Sequence, residues 1–313
     1  MTKNIFECLV IPSPSFSKHP VLVKEASVLA KKLILNQEGT RLDEDKLSSF
    51  LSQDQADAAI IGTDPLTENV ISKLTHIKAI GKYGVGLDNV DIEALKKHGI
   101  HFGWEGGVNK RCVSELTLGF MLGHQRNIFR SINRMQHGEW IKNGGFQLSE
   151  KTVGIVGFGH IGTDLAAILK PFGCQILISD ILDKKQECHA LGAKQVSYQD
   201  LLRSSDVITF HVPGGAQTKH MFSKKEILIT KKSTLIVNTA RGSIVDFDAV
   251  THAVKIGGLG GYASDVFPFE PLLSKDYPIE SGFYFTPHIG GNADEAILAM
   301  GRAAIRGLQE FLR

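Results

Sequence analysis

Three side chains that can handle protons and anions, Arg241, Glu270 and His288, lie in three separate segments of this 313-residue chain. Each lies at or just beyond the end of an apolar run that predicts a β-strand, where ligands bind in open α/β sheets. A histidine, with an unperturbed pKa of about 6.5, can exchange a proton at working pH. A neighbouring carboxylate stabilises its protonated ring, and an arginine pairs bidentately with an acid. Taken alone, Arg241 could be a surface ion-pair partner, Glu270 a solvated carboxylate and His288 a structural histidine. Their joint occurrence predicts a catalytic site.

A glycine-rich turn predicts a cofactor beside these groups. Residues 157–162 read Gly-Phe-Gly-His-Ile-Gly directly after the apolar run 152–156. The three glycines permit a tight turn, a close approach to a pyrophosphate and close packing of the next helix, whose N-terminus attracts phosphate. Asp180 closes the next apolar run as an acceptor for ribose hydroxyls and would repel a 2′-phosphate, which favours NAD over NADP. Lys184 and Lys185 either soften that preference or are solvated. The residues predicted from this pattern to bind the cofactor are Gly157, Gly159, His160, Ile161, Gly162 and Asp180.

Hydride chemistry explains why these residue types occur together. Oxidation of a 2-hydroxy acid removes the hydroxyl proton while hydride leaves the same carbon for the nicotinamide. We therefore predict His288 as the acid/base, Glu270 as its partner and Arg241 as the clamp for the substrate. Reduction should fade, and oxidation should gain, as the pH rises through the pKa of His288. Asp265 either anchors its loop or contacts the nicotinamide end, and we expect the cofactor contact.

Apolar runs alternate with helix-period segments throughout, the pattern of parallel sheets flanked by helices. Predicted strands cover 8–11, 58–61, 77–80 and 100–102, and a second series covers 153–156, 175–179, 207–211, 234–238 and 261–265. Predicted helices include 20–34, 43–51, 92–98, a long helix over 113–135 before a polar loop at 138–145, and a final helix over 293–312. The final helix has no strand of its own to cover, so we expect it to return to the N-terminal unit.

Composition narrows the class of protein. The 35 Lys and Arg residues nearly balance the 33 Asp and Glu residues, without a basic cluster, which argues against nucleic acid or an anionic membrane as partner. The four cysteines lack the spacing of a metal site, so we expect no metal and a reducing compartment. The chain has neither a signal-peptide pattern nor an apolar run that could span a bilayer, so we expect a cytoplasmic protein.

Further motifs extend the pattern over nearly the whole chain: Lys-Tyr-Gly-Val-Gly-Leu-Asp-Asn-Val-Asp at 82–91, Val-Ser-Glu-Leu-Thr at 113–117 and His-Val-Pro at 211–213. With the glycine turn and the three catalytic segments, they resemble the D-isomer-specific 2-hydroxyacid dehydrogenases. The resemblance implies an α/β fold of two domains, with a Rossmann-type cofactor domain (105–288) inserted into a flavodoxin-like substrate domain (1–104 plus 289–313). It also implies NAD as cofactor and a homodimer formed through the cofactor domain and the region around 105–150.

The same resemblance implies further site residues. For the cofactor they are Val212, Pro213, Thr218, Thr239, Ala240, Asp265 and Gly290, and for the substrate Gly84, Val85, Gly86, Asn109 and Arg241. Backbone N–H groups of the loop 84–86 would hold the substrate carboxylate across a cleft from Arg241, although glycine would also permit a plain tight turn.

Within the family the chain is most similar to phosphoglycerate dehydrogenases, so 3-phosphoglycerate is the expected substrate. Many of those enzymes carry a phosphate-binding arginine after the strand ending near Ile61, but this chain reads Gly-Thr-Asp-Pro at 62–65. Either Arg111 or Lys82 could bind a phosphate in its place. The alternative for each residue is that it is solvated or lies at the start of a helix. The alternatives are a hydroxypyruvate or glyoxylate reductase, which needs no phosphate site, and an NAD-sensing protein similar to the family's corepressors. We expect no regulatory domain after Arg313, and hence no serine feedback through one.

Overall fold

The computed structural model describes residues 5–273 and 282–313, and the chain divides into two compact units. One unit contains the described residues up to Asn109 together with Asp294–Arg313, and the other is Lys110–Ala293. The two points at which the chain passes from one unit to the other each lie five residues after the boundary predicted from the sequence. At the first crossing the reason is local: the Trp104 indole donates to the Val85 carbonyl (3.2 Å), and Glu105 pairs with Arg306 (2.5 Å). These contacts hold the segment after residue 103 to the first unit.

Strands and helices alternate along both units. The strands are β1 (Phe6–Ile11), β2 (Ala30–Leu35), β3 (Ala58–Ile61), β4 (Ala79–Lys82), β5 (His101–Gly103), β6 (Thr152–Val156), β7 (Gln175–Ser179), β8 (Ala193–Gln195), β9 (Val207–Phe210), β10 (Leu235–Asn238), β11 (Gly261–Ser264) and β12 (Phe283–Phe285). The helices are α1 (Pro14–Ser17), α2 (Pro20–Ser27), α3 (Glu44–Leu51), α4 (Glu68–Ile71), α5 (Ile92–Lys97), α6 (Lys110–Gln125), α7 (Ile128–Gln136), α8 (His160–Leu169), α9 (Lys185–Ala190), α10 (Tyr198–Ser204), α11 (Lys224–Ile229), α12 (Phe247–Lys255) and α13 (Asp294–Phe311).

The first unit contains a parallel sheet of order β2-β1-β3-β4-β5, the flavodoxin-like order. The prediction of one helix over 20–34 is wrong in its second half, because α2 ends at Ser27 and β2 follows as an edge strand. Lys31 and Lys32 are exposed on β2, as is common for lysines at sheet edges. Two consecutive lysines interrupt the apolar run by which a strand would be recognised in the sequence. Pairing of β2 with β1 decides its structure.

The C-terminal helix α13 packs against β4 and β5, which confirms that it returns to the N-terminal unit. Two glycines permit the close approach. A Cβ on Gly81 would lie 2.5 Å from the Ala304 carbonyl oxygen, and a Cβ on Gly103 would overlap the backbone of Gly307. Any larger side chain at these positions would push the helix off the sheet.

The second unit contains a parallel sheet of order β12-β11-β10-β9-β6-β7-β8. Strands β6 to β11 follow the 3-2-1-4-5-6 order of dinucleotide-binding sheets, with β12 added beside β11. The predicted α/β fold with a Rossmann-type sheet is thereby confirmed. The sequence did not predict β8 and β12, which are three residues long and lie at the two edges of the sheet. The residues of β8, Ala-Lys-Gln, form no apolar run and so give no strand signal.

The long helix predicted over 113–135 is two helices, α6 and α7. Asn127 separates them in the left-handed backbone region, with a φ of 53°, and its side-chain amide donates to the backbone oxygen of Asn143 (3.3 Å). Asparagine tolerates this conformation better than most residues. The predicted loop 138–145 has neither helix nor strand.

An exposed apolar surface begins on α7 and continues into the loop after it. We call it the apolar arm; it consists of Ile132, Met135, Trp140, Ile141 and Phe146, which are 53%, 57%, 75%, 49% and 65% exposed. Contiguous exposed apolar residues of this size commonly mark protein interfaces. Within 5–273 and 282–313, no helix is both long and apolar enough to cross a membrane.

Candidate active site

The turn between β6 and α8 has the geometry that a dinucleotide requires. Gly157 has a φ of 93°, and a Cβ there would lie 2.5 Å from the His211 carbonyl oxygen, so only glycine fits. A Cβ on Gly162 would overlap the Gly157 carbonyl oxygen, so glycine also sets the packing of α8 on the turn. The space around a Cβ position on Gly159 is open, and this residue caps the N-terminus of α8. The N-terminus of α8, which begins with His160 and Ile161, is therefore open and has room for a pyrophosphate.

Asp180 lies beside this turn at the end of β7. Its Oδ2 accepts a hydrogen bond from the Phe158 backbone N–H (2.7 Å), and its Oδ1 accepts one from Leu182 (2.9 Å). A carboxylate has further lone pairs on both oxygens, so ribose hydroxyls can still donate to it. The two lysines beyond it have carboxylate partners on their own segment: Lys184–Glu187 at 3.0 Å and Lys185–Asp183 at 3.5 Å. These pairs agree with the interpretation that the lysines are solvated.

The segment after β9 lies on the other side of the glycine turn. Val212 is close enough to Gly157 that a Cβ there would meet its side chain at 2.8 Å. Thr218 holds the loop that follows, because its hydroxyl donates to the Pro213 carbonyl oxygen (2.7 Å). Val212 and Pro213 thus lie beside the predicted cofactor turn, whereas Thr218 is half-buried and shapes their loop.

Arg241 follows β10 on a tightly folded loop. The Thr239 hydroxyl is hydrogen-bonded to the Thr117 hydroxyl of α6 (2.9 Å), which fixes the start of the loop. The Arg241 guanidinium donates through Nη1 to the Ala240 carbonyl oxygen (2.7 Å). A Cβ on the next residue, Gly242, would overlap the backbone of Phe267. The arginine loop therefore packs directly on the loop that leads to Glu270.

Glu270 and His288 form a hydrogen-bonded pair, with the histidine Nδ1 2.7 Å from the glutamate Oε2. The other glutamate oxygen accepts from the Phe267 backbone N–H (3.1 Å). The positive charge of Arg241 acts on both members of the pair: it helps to lower the pKa of Glu270 and opposes part of the rise in the pKa of His288. The three predicted catalytic side chains therefore come together in the second unit.

The pair alters the protonation of both groups. The hydrogen bond that His288 donates to Glu270 raises the pKa of His288 above its ordinary value, against the effect of burial. Burial alone would raise the pKa of Glu270, but the bonds from His288 and from the Phe267 N–H outweigh it and lower that pKa. The charged pair is thus favoured over the neutral one. Because Nδ1 faces Glu270, Nε2 is the ring nitrogen that can exchange a proton with a substrate.

Asp265 holds the loop that carries His288. Its carboxylate, 1% exposed, accepts at Oδ1 from the Thr286 hydroxyl (2.6 Å) and the Ile289 N–H (2.8 Å). Its Oδ2 accepts from the Gly290 N–H (2.7 Å). His288 itself has a φ of 55°, a costly conformation that such anchoring maintains. Asp265 is therefore a loop anchor, and the predicted contact of Asp265 and Gly290 with the cofactor stays a prediction.

The residues predicted to bind substrate in the first unit follow β4 and β5. Gly84 has a φ of 120°, which favours glycine, and the Val85 carbonyl oxygen accepts the Trp104 bond. Asn109 is buried, and its Oδ1 has no hydrogen-bond partner within the described part of the chain. The predicted substrate-binding roles of Gly84, Val85, Gly86 and Asn109 stay predictions.

The cations proposed from the sequence for a phosphate are engaged elsewhere. Lys82 is 2% exposed and donates to the Gly62 carbonyl oxygen (2.5 Å). Arg111 pairs with Asp164 of α8 (2.9 Å). Asp64 is 3% exposed, and its carboxylate accepts from the Gly62 N–H (2.9 Å). The turn 62–65 is thus built around a buried carboxylate.

Several residues of the site were not found from the sequence. Asn238, Thr117 and Thr286 each hold a loop through one or two hydrogen bonds. Thr286 and Asn238 stand next to the motif residues, but nothing in their spacing identifies their partners. Among the described residues, no group of three or more His, Cys, Asp or Glu side chains is placed to hold a metal ion.

Comparison with known proteins assigns the chain to a family. Residues 118–290, more than half of the chain, match the profile of the NAD-binding domain of D-isomer specific 2-hydroxyacid dehydrogenases. The chain belongs to this family. It is accordingly an NAD-dependent oxidoreductase, and the predicted cofactor, NAD, is confirmed at the level of the family.

Named relatives agree on the family and differ in substrate. A glyoxylate reductase of Thermococcus litoralis is 33% identical over 260 residues, covering 80% of this chain and 78% of the relative. A D-3-phosphoglycerate dehydrogenase of Escherichia coli is 36% identical over 266 residues, covering 82% of this chain but only 63% of the relative. The crystal structure of a D-isomer specific 2-hydroxyacid dehydrogenase from Polaromonas superposes with a TM-score of 0.87 at 25% identity, covering 98% of this chain and 97% of that chain.

Proposed function

We propose that the protein interconverts a small D-2-hydroxy acid and its 2-keto acid, with NAD(H) as the hydride carrier. One observation carries the proposal: the hydrogen bond of 2.7 Å between His288 and Glu270, with the charge of Arg241 acting on both. The three groups follow strands of the sheet whose glycine turn has room for the dinucleotide. This is the set of groups that the reaction needs: a proton donor, its counter-ion and a clamp for an acid.

In the reduction direction, bound NADH supplies hydride to the carbonyl carbon of the keto acid. Arg241 pairs with the carboxylate and orients that carbon. Protonated His288 donates a proton from Nε2 to the carbonyl oxygen as negative charge develops there, and it becomes neutral. Glu270 stabilises the protonated ring beforehand and fixes its orientation through Nδ1. In the oxidation direction, neutral His288 accepts the hydroxyl proton.

The preferred substrate that we propose is an unphosphorylated acid, glyoxylate or hydroxypyruvate. Lys82 is buried on the Gly62 carbonyl, Arg111 is paired with Asp164, and the turn that would face a phosphate contains Asp64. The similarity to a glyoxylate reductase over 78% of its length supports the same choice.

A second candidate is 3-phosphoglycerate, which one observation favours. Arg41 is exposed and donates through Nη2 to the Thr63 carbonyl oxygen (3.1 Å), so a cation lies beside this turn. Guanidinium groups pair readily with phosphate. The similarity to phosphoglycerate dehydrogenases is consistent with this candidate.

A comparison of kcat/KM on glyoxylate, hydroxypyruvate and phosphohydroxypyruvate, with NADH, tests both candidates. We expect the unphosphorylated acids to be preferred and Arg41→Ala to leave their kcat/KM unchanged. A preference for the phosphorylated acid that Arg41→Ala abolishes would establish the second candidate. Tight NADH binding without turnover of any of these acids would refute both and favour a sensing protein.

We further propose that the protein is a cytoplasmic homodimer. The apolar arm lies within the region that the family resemblance assigns to the dimer, and its residues are 49–75% exposed in one chain. Burial of such a surface against a second copy would remove it from water. The four cysteines are free thiols, as is usual in a reducing compartment.

A further inference from the structure

Asn238, the last residue of β10, is fully buried and joins two loops of the active site. Its side-chain Nδ2 donates to the Arg241 carbonyl oxygen (2.9 Å), and its Oδ1 accepts from the Ala240 N–H (3.2 Å). One amide therefore satisfies both a donor and an acceptor of the arginine loop. This bonding pattern folds residues 239–241 back onto the strand end in the manner of an Asx turn.

The backbone carbonyl of Asn238 bonds a different segment, the end of β11 and the residue after it. The Asn238 carbonyl oxygen accepts from the Asp265 N–H (3.0 Å) and from the Ser264 hydroxyl (3.3 Å). Asp265 in turn anchors the loop that carries His288. The backbone of Asn238 is thus connected to the histidine loop, whereas its side chain bonds the arginine loop and also contacts the buried hydroxyl of Tyr262 on β11.

We propose that Asn238 is a positioning residue that sets the Arg241 guanidinium relative to the acid/base His288. This inference rests on the proposed function, in which Arg241 pairs with the substrate carboxylate. The amide is needed because the loop presents one carbonyl oxygen and one N–H at a buried site. A carboxylate there would keep the bond from Ala240 but would face the Arg241 carbonyl oxygen with another acceptor. Alanine would leave both groups without a partner.

The two variants have different expected effects. Asn238→Asp removes the donor to the Arg241 carbonyl oxygen and keeps the acceptor for the Ala240 N–H. KM for the keto acid should therefore rise and kcat/KM should fall by about 10- to 100-fold, the order expected for an ångström-scale misplacement. The Kd of NADH should stay within about twofold because the Ala240 bond remains. Asn238→Ala also frees Ala240, which is a predicted cofactor residue, so it should weaken NADH binding as well.

The matched control is Thr234→Val, immediately before the same strand. The Thr234 hydroxyl is fully buried and donates to the Ser205 carbonyl oxygen (2.9 Å), so this variant also loses a buried hydrogen bond but does not contact the arginine loop. Its kcat/KM should equal that of the unchanged protein. Equal losses of kcat/KM in Thr234→Val and Asn238→Asp would overturn the proposal, since the effect would then be general destabilisation.

A double-mutant cycle with Arg241→Lys separates this inference from the proposed function. Lysine cannot make the bidentate contact, so Arg241→Lys alone should lower kcat/KM, and Asn238→Asp should then cause little further loss. If the two losses multiply, Asn238 does not act through Arg241 and the inference is wrong while the proposed function stands. If Arg241→Lys retains full kcat/KM, the proposed role of the arginine is wrong, and the inference fails with it.

Discussion

Replacing Asp265 by asparagine tests how the structure holds His288 in place. The Asp265 carboxylate accepts three hydrogen bonds from the loop 286–290 and is 1% exposed. An amide can keep the two bonds at Oδ1, but its NH2 group would face the Gly290 N–H, leaving two donors opposed. A buried donor without a partner costs about 1–3 kcal/mol. For a unit of roughly 150–250 residues this corresponds to a fall in Tm of about 2–12 °C.

The catalytic effect should be larger than the loss of stability implies. Release of Gly290 frees the loop on one side of His288, and misplacement by about 1 Å can cost about 100-fold in rate. We expect kcat/KM for the keto acid to fall by about 10- to 100-fold while NADH binds normally. Weaker NADH binding would instead support the predicted contact between Asp265 and the cofactor.

Asp206→Asn is the matched control for this variant. Asp206 also accepts from a backbone N–H, that of Thr152 (2.9 Å), and pairs with Lys231 (3.0 Å), but it lies at the other end of the sheet, before β9. It should lower Tm without lowering kcat/KM. The reasoning would be refuted if Asp265→Asn kept the kcat/KM of the unchanged protein, or if both variants lost activity in proportion to Tm.

Three further predictions concern the cofactor and the assembly. Gly157→Ala should abolish NADH binding, measured by fluorescence titration, because a Cβ would lie 2.5 Å from the His211 carbonyl oxygen; retained binding would contradict the assigned turn. Asp180→Ala should reduce the preference for NADH over NADPH by more than about tenfold in Kd, because it removes the charge opposite a 2′-phosphate; an unchanged ratio would show that another group sets it. Trp140→Glu, a change to a 75% exposed residue, should give a monomer in sedimentation experiments; an unchanged dimer would exclude the apolar arm as the interface.

The sequence predicted the site best where the constraint is local. Gly157 is required by its own positive φ of 93°, and Gly162 by the Gly157 carbonyl oxygen of the same turn, so their spacing alone identified them. Arg241, Glu270 and His288 are recognisable because each follows a strand of one parallel sheet, and such strand ends share an edge. The alternation of apolar runs and helix-period segments is also visible locally in the sequence, and it predicted both parallel sheets.

Contacts between distant segments account for what the sequence did not predict. The sequence left open whether Asp265 anchors its loop, and the bonds from the N–H groups of Ile289 and Gly290, more than 20 residues away, show that it does. The role of Asn238 depends on how the chain turns after β10, which its residue type does not specify. The sequence predicts helix where β2 lies, because pairing with β1, and not the pattern of β2 itself, determines its structure.

The pH dependence of catalysis, measured in both directions for the unchanged protein and for Glu270→Gln, tests the central claim most directly. The hydrogen bond that His288 donates to Glu270 raises the pKa of His288, so reduction should persist to higher pH than an ordinary histidine allows and then fall as oxidation rises. Glutamine removes the charge, and both inflections should therefore move to lower pH. Profiles without an ionisation between about pH 6 and 9, or inflections that Glu270→Gln does not move, would contradict the assignment of His288 as the acid/base.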